Sequence, residues 1–527
     1  MADGASRNRP ARGAMVLVLV LIVVMMIALA GFSFAELMLT ENKATHLHGD
    51  ELRLEQAIGS GVELLKLFGE QSSAKQLEAG GAFNNPTLFR GIPLIPDDRS
   101  LRVPTHQVRF SIVAPLLEEE QAGGIRFGVE NESGRLHLAD LLRWDQQQPG
   151  SGRKALMNFS NMTEAIADAI LDWMDSDAQP RALGAETDYY LGLERPYAPR
   201  NGLPECLEEL LLVKGVTREL LFGSDANYNH QIDPEELVES RSNARSTSPT
   251  TAPVPWASLL TIYSGQRNLT SEGRPRIDLN GMDLMKLQTQ LTEALDANWA
   301  AFIVAYRQYG PSASVDAAAP GPPLVLAPTS PHYAIRSVLD LAGANVAIPS
   351  PLPSQPPKVY ASPLPVDPQG VAQQLSNLLD KTTVVPVPVI RGGVSVNHAS
   401  SNVLRGVPGI DDALADRIVT ARDARASQED AGRRFPTWLL TEGVVNLPTM
   451  KTLLPNVCAG GEVVRAQVVG HFDPPGPAAR AEVVVDATTL PARQIFWRDL
   501  RFWGPGYPLE WLGEEGDHER SMKQRMR

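Results

Sequence analysis

Apolar and polar positions change rhythm several times along the chain, and each rhythm predicts a different element. From Ala14 to Ala35 no residue is charged, and the run from Met15 to Met26 is apolar throughout. Extended to Ala35, this uncharged stretch is long enough to cross a bilayer as a helix. Beyond it Leu47, Leu54, Ala57, Ile58, Gly61, Leu65 and Phe68 recur mostly at three- and four-residue steps, a stripe on one helix face. One continuous helix from Ala14 to Phe68 would extend about 80 Å at about 1.5 Å per residue. Alternation marks Val108–Ile112 and Ile125–Val129 as half-buried antiparallel strands. Helical spacing returns at Met162–Trp173, Leu207–Val213, Gly281–Tyr309 and Asn402–Leu440, before Val463–Phe472, Ala481–Ala487 and Gln494–Phe502 read as strands. Strands at both ends with helices between predict an α+β fold, an antiparallel sheet interrupted by a large helical insertion.

Composition changes this picture in two places. A Ser/Thr/Pro stretch from Arg241 to Pro255 makes a break, and prolines and alanines dominate Gly310 to Gly370. The latter reads as a surface connection with one short ordered piece at Tyr333–Leu341. Arg7, Arg9 and Arg12 precede the apolar run, and Glu36 and Glu41 come after it, so the positive-inside bias puts the N-terminus in the cytoplasm and the remaining chain outside. A formal charge of −13 argues against a dedicated nucleic-acid binder, which must neutralise phosphates. Two cysteines, Cys206 and Cys458, are too few for a disulfide scaffold; one bridge or two free thiols both remain open.

The candidate chemistry is that of oxygen ligands. Asp225, Asn227, Asn229, Asp233 and Glu236 stand at positions one, three, five, nine and twelve of a calcium-loop spacing, with the Gln231 carbonyl at seven and Ile232 at eight. His230 replaces the usual Gly at position six, where a positive φ is common and His tolerates it better than most residues. Without an ion the same segment is an Asp/Asn-rich turn. A second cluster, Asp175, Asp177, Glu186 and Asp188, needs a cation or full solvation to offset its mutual repulsion. The segment from Leu404 to Asp412 is similar to a helix-hairpin-helix turn, but Asp411 and Asp412 would repel a phosphate, so Leu404, Val407, Ile410 and Leu414 read as packing residues. His46, His48 and Asp50 scatter over different helix faces and make no metal site. No Gly-rich phosphate loop, nucleophile elbow or Cys/His pairing occurs, so no enzyme activity is expected.

Arg12-Gly13 before the apolar helix resembles a prepilin peptidase site, with cleavage between Gly13 and Ala14. Most pilins have Glu as the fifth mature residue; Val18 stands there, and the K-type minor pseudopilin is the member that lacks this Glu. The order Asp172-Trp-Met-Asp-Ser-Asp, Gly184-Ala-Glu-Thr-Asp-Tyr-Tyr, Pro199-Arg-Asn and Glu208-Glu-Leu-Leu-Leu-Val-Lys-Gly-Val is similar to that family's. An internal echo joins Ser133-Gly-Arg-Leu-His-Leu, Arg276-Ile-Asp-Leu-Asn and Val394-Ser-Val-Asn; the first has Ala139 where Asn is usual.

The chain therefore resembles the K-type minor pseudopilin family of type II secretion. That resemblance implies a pilin-like sheet with an inserted sterile-alpha-motif-like helical domain that binds calcium. It implies a subunit at the tip of a periplasmic pseudopilus, with other minor pseudopilins, prepilin peptidase and inner-membrane lipid as partners and no nucleic acid. The expected organisation is a leader at 1–13, a pilin helix at 14–70 spanning the membrane over 14–35, and first strands at 100–145. Next come a helical insertion with the calcium loop at 150–310, a Pro/Ala-rich connection at 311–385, and a hairpin-type subdomain at 386–458. C-terminal strands at 460–512 and a disordered tail at 513–527 complete it. A minor pilin of a type IV pilus or competence system, and a signal-anchored calcium-binding envelope protein, are the alternatives.

Overall fold

A computed structural model describes residues 12–94, 107–115, 124–230, 236, 254–312, 330–350, 357–423, 431–472 and 476–513. The expected leader, up to residue 11, the break at 241–255 as far as residue 253, and the tail from 514 lie outside the described residues. Helix α1 runs unbroken over Arg12–Glu70. Its two halves meet different surroundings: the apolar side chains from Val16 to Leu39 are exposed, whereas Leu54, Ala57, Ile58, Val62, Leu65 and Phe68 are buried. The apolar half is long enough to cross a membrane. Each large side chain in the buried half stabilises the packing by about 1.5–3 kcal/mol.

What α1 packs on is a sheet built from β1 (Ile92–Pro93), β2 (Val108–Pro115), β3 (Ile125–Phe127), β4 (Glu130–Asn131), β5 (Val463–Phe472), β6 (Ala478–Asp486) and β7 (Arg493–Asp499). The order is β1-β2-β5-β6-β7, with β3 beside β2 and β4 beside β5. All pairings are antiparallel, with Val468 opposite Ile112 and Ala466 opposite Val483. Gly470 lets the α1 backbone approach closely, since a Cβ there would stand 2.8 Å from the Leu54 carbonyl oxygen.

Sequence alternation predicts a half-buried strand at β2, yet β2, like β5 and β6, is buried at nearly every position. The reason is that both faces are covered. Ala466, Val468, Val483 and Val485 meet α1, while Val113 and Val469 meet Tyr507 and Leu512 of the C-terminal segment. Arg465, Gln467, Arg480 and Glu482 lie on that second face. Arg465 donates to Glu132 at 2.5 Å and to Glu482 at 2.9 Å, and Arg498 joins Glu482 to Glu208. This charge chain ties the helical insertion to the sheet and satisfies carboxylates that would be costly to bury alone.

The insertion consists of helical units closed by necks. Three two-residue parallel pairings join entry to exit: Leu136 and His137 with Leu260 and Thr261, Ile277 and Asp278 with Thr382 and Thr383, Val394 and Ser395 with Val457 and Cys458. These are the three sequence echoes. At each neck the second residue's side chain accepts a backbone N–H two positions on, from Ala139, Asn280 and Asn397. The Asn side chains have a further task. Asn280 exchanges two hydrogen bonds with Ile335, and Asn397 accepts from Trp438 Nε1 and donates to the Arg433 carbonyl. Ala139 forgoes these bonds.

Two expected boundaries need correction. Residues 138–147 form a helix (α2, Leu138–Gln147) that opens the insertion, so the first strand region ends at the neck and not at 145. The described part of the stretch at 311–385 is no surface connection. There a hairpin pairs Asn345–Ile348 with Lys358–Ala361, a helix spans Pro368–Lys381, and Leu339, Val346, Leu364, Leu375 and Leu378 enter the core of the insertion. The Pro-rich composition hides the short hairpin, whose burial comes from neighbouring units, whereas the helix carries its own period at Val371, Leu375 and Leu378.

Candidate metal centre

The first unit arranges its acidic residues around α3 (Glu164–Met174) and α4 (Thr187–Leu191). Thr163 caps α3 by accepting the Ile166 N–H, and the helix ends at Asp175. Asp168 and Asp172, one turn apart, are both fully buried. They fold the following loop back over the helix. Asp168 pairs with Arg153 through two 2.6 Å bonds and accepts the Leu183 N–H, while Asp172 accepts the N–H groups of Arg181 and Ala185. Gly184 is required by this closure, since a Cβ there would stand 1.8 Å from the Asp172 carboxylate.

The fold-back brings one carboxylate oxygen each from Asp175, Asp177 and Glu186 within 4.8 Å of one another. Asp188, the fourth predicted member, is exposed on α4 and outside this group. Glu186, 4% exposed, leaves both carboxylate oxygens without a hydrogen bond, and so does Asp175 its Oδ1. Arg181 occupies the other side, donating to Asp145, Asp172 and Asp175. Burial, with Asp172, Asp175 and Asp177 close by, pushes the Glu186 carboxyl up to about 7. Burial raises Asp175 as well, against the opposing pull of Arg181. Orphaned, buried, hard oxygen donors are what a calcium ion takes.

The described residues of the predicted calcium loop stand at the junction with the sheet. Asp225 accepts the N–H groups of Asn229 and His230, Asn227 accepts that of Asn229, and Glu236 accepts those of Ala226 and Asn227. Loop positions one and twelve thus meet at the same turn. His230 has φ of 60° and Tyr228 of 58°, the left-handed conformation that position six leads one to expect. Burial raises the Asp225 carboxyl. Gln231 and Asp233 lie outside the described residues. Sequence reasoning missed the base of this loop: Arg480 and Tyr507 hold the carbonyls of Asn227, Tyr228 and Asn229, and nothing in the local sequence marks them as partners.

The remaining candidates take structural places. Leu404, Val407, Ile410 and Leu414 are buried, and the Asp411 side chain accepts the Leu414 N–H at the start of the helix over Asp412–Asp423. Cys206 and Cys458 are free, and burial pushes the Cys458 thiol up to about 12.

Residues 134–222 match the family model described as type II secretion system (T2SS), protein K. Among curated proteins, type II secretion system protein K of Pectobacterium carotovorum subsp. carotovorum is 37% identical over 67 residues, 13% of this chain and 20% of that protein. The Pseudomonas aeruginosa protein of the same description is 34% identical over 103 residues, 18% of this chain and 31% of that protein. The chain thus spans less than a third of the length of either relative. A chain in the crystal structure of the GspK-GspI-GspJ complex from enterotoxigenic Escherichia coli aligns over 85% of this chain and 97% of its own, at 9% identity and a TM-score of 0.36. Residues 134–222, the segment similar to type II secretion system protein K, hold the carboxylate cup of Asp175, Asp177 and Glu186.

Proposed function

We propose that the chain is a minor pseudopilin at the tip of a type II secretion pseudopilus, where it assembles with other minor pseudopilins to initiate the fibre and support export. The observation that carries this reading is the division of α1: one continuous helix whose apolar half is left uncovered by its own chain while the other half is built into the sheet. Prepilin peptidase removes the leader after Gly13. The apolar half is anchored in the lipid of the inner membrane, with the N-terminus cytoplasmic and the bulk periplasmic.

The place at the tip rests on two features. Val18 offers no carboxylate to the terminal amine of a subunit above it, which a terminal subunit does not need. The insertion docks through Glu208, Asn227 and Tyr228 on the sheet face opposite α1, a bulk that would obstruct stacking within a fibre. The work of the chain is assembly, and it requires neither catalysis nor nucleic acid.

Calcium is the cofactor of this reading. Asp175, Asp177 and Glu186 fit it through hard oxygens and an orphaned buried carboxylate, and Asp225, Asn227, Asn229, Gln231, Asp233 and Glu236 fit it through their spacing. When bound, the ion offsets carboxylate repulsion and holds the loops closed. The test is affinity purification of the full chain from detergent-extracted membranes, with identification of what accompanies it. Co-purification of the other minor pseudopilins of the same secretion system, lost when α1 is replaced by an unrelated membrane anchor, is expected. Purification of the chain without them overturns the reading.

A further inference from the structure

We infer that Arg181 is the positioning residue of the carboxylate cup, holding it open for a cation by binding its carboxylates from behind. This inference rests on the proposed metal reading and adds a residue to it. The guanidinium of Arg181 reaches Asp172 at 2.7 Å, Asp145 at 3.1 Å and Asp175, so a single side chain joins α2, the end of α3 and the loop between α3 and α4. Its own backbone N–H returns to Asp172 at 3.1 Å, which fixes the residue at both ends.

The choice of oxygens sets its role. Arg181 takes Oδ2 of Asp175 and leaves Oδ1 of that residue, together with both oxygens of Glu186, buried and without a hydrogen bond. A competing cation would sit on the orphaned atoms; Arg181 sits on the others. Its charge favours the ionised forms of Asp172 and Asp175 against their burial, and its planar fork fixes the rotamer of Asp175. A lysine keeps the charge but, as a single point, cannot hold three carboxylates on two helices in one plane of donors. Gln179 completes the arrangement by donating its N–H to Asp177 Oδ1 at 2.9 Å, which orients the third carboxylate.

The experiment is isothermal titration of the detergent-solubilised full chain with calcium chloride after chelator treatment, comparing the unaltered chain with Glu186→Gln, Arg181→Lys and Arg181→Ala. Glu186→Gln identifies the heat that belongs to this cup. If that heat is unchanged in Glu186→Gln, the metal reading of the cup falls and this inference with it. If Glu186→Gln removes it, the expected result is calcium binding at the cup weakened on the order of tenfold or more in both arginine variants, the range for a residue that orients metal ligands. Millimolar methylguanidinium should restore affinity in Arg181→Ala without raising the melting temperature measured in chelator, an effect that a merely structural role would not produce. Unchanged or tighter calcium binding in Arg181→Lys overturns the inference, showing that the arginine is a bystander or a competitor. Arg181→Lys keeps the charge and carries the test if Arg181→Ala fails to fold.

Discussion

Arg480 Nη2 donates to the carbonyl oxygen of Asn227 at 2.6 Å, across 253 positions of chain, so the acidic turn at the end of the first helical unit rests on a side chain of the sheet. The same guanidinium reaches Tyr228 O and Gln467 Oε1 through Nη1. Arg480→Met should therefore remove one donor each from Asn227 O, Tyr228 O and Gln467 Oε1, of which the last two keep a second donor in Gln467 Nε2 and the Tyr507 hydroxyl, destabilising the chain by about 1–3 kcal/mol. Urea unfolding of the detergent-solubilised protein measures this, and a loss below about 0.5 kcal/mol would mean that the turn is not held from below.

Calcium should raise the melting temperature, and two substitutions should divide the effect. At about 100-fold excess over its dissociation constant a bound ion contributes about 2.7 kcal/mol per site. Glu186→Gln should remove the part due to the cup, and Glu236→Gln the part due to the turn at Asp225. Changing Glu235 should matter little. Magnesium should do less than calcium because it demands a tighter octahedron. Differential scanning fluorimetry with each ion reads all of these, and an unchanged melting curve in chelator would reduce both sites to turns.

The acid–base behaviour of Glu186 gives a pH dependence of defined sign. Its carboxyl is pushed up from 4.5 to about 7, so between these values the folded chain binds more protons than the unfolded one. Without calcium, this group's stability contribution is largest below about pH 4.5 and is lost as pH rises through about 7. Saturating calcium should oppose that loss, so the gap between melting temperatures with calcium and with chelator should widen from about pH 5 to about pH 8. Glu186→Gln should flatten the calcium-free profile across that window.

Processing offers a check independent of folding. Arg12-Gly13 abuts the apolar helix directly, and cleavage there leaves Ala14 as the first residue. Intact-mass spectrometry of membrane-extracted protein should find that start. An uncut chain, or a start beyond Ala35, would remove the pseudopilin assignment.

Much of the frame was legible because its cause is local. The periodic stripe on α1 from Leu54 to Phe68 faces the sheet core and the bounds of β5 are Val463 and Phe472 as read from the sequence, although Leu47, read into the same stripe, is exposed. The carboxylates of the cup were also visible, because acidic residues crowded into one loop demand an explanation. Arg181 was not legible as their organiser. Its contacts with Asp145 and Asp172 exist only after the loop folds back on α3, although two buried acids at Asp168 and Asp172 in an apolar helix were a signal that partners must come. The hairpin at 345–361 escaped notice for the opposite reason. Its strands are short, and their burial is decided by residues distant in sequence, in other units.

The parallel necks decide where the chain can grow. At each neck the strand that leaves a helical unit lies beside the strand that enters it and points the same way, so the path onward is unaffected by how much chain intervenes. An insertion within a unit lengthens a detour and leaves the road in place. Deletions and added loops between Ile277 and Thr382 should therefore be absorbed without moving β5 or the grip of α1 upon it. Units of this kind can change size independently, and the sheet they interrupt retains one register throughout.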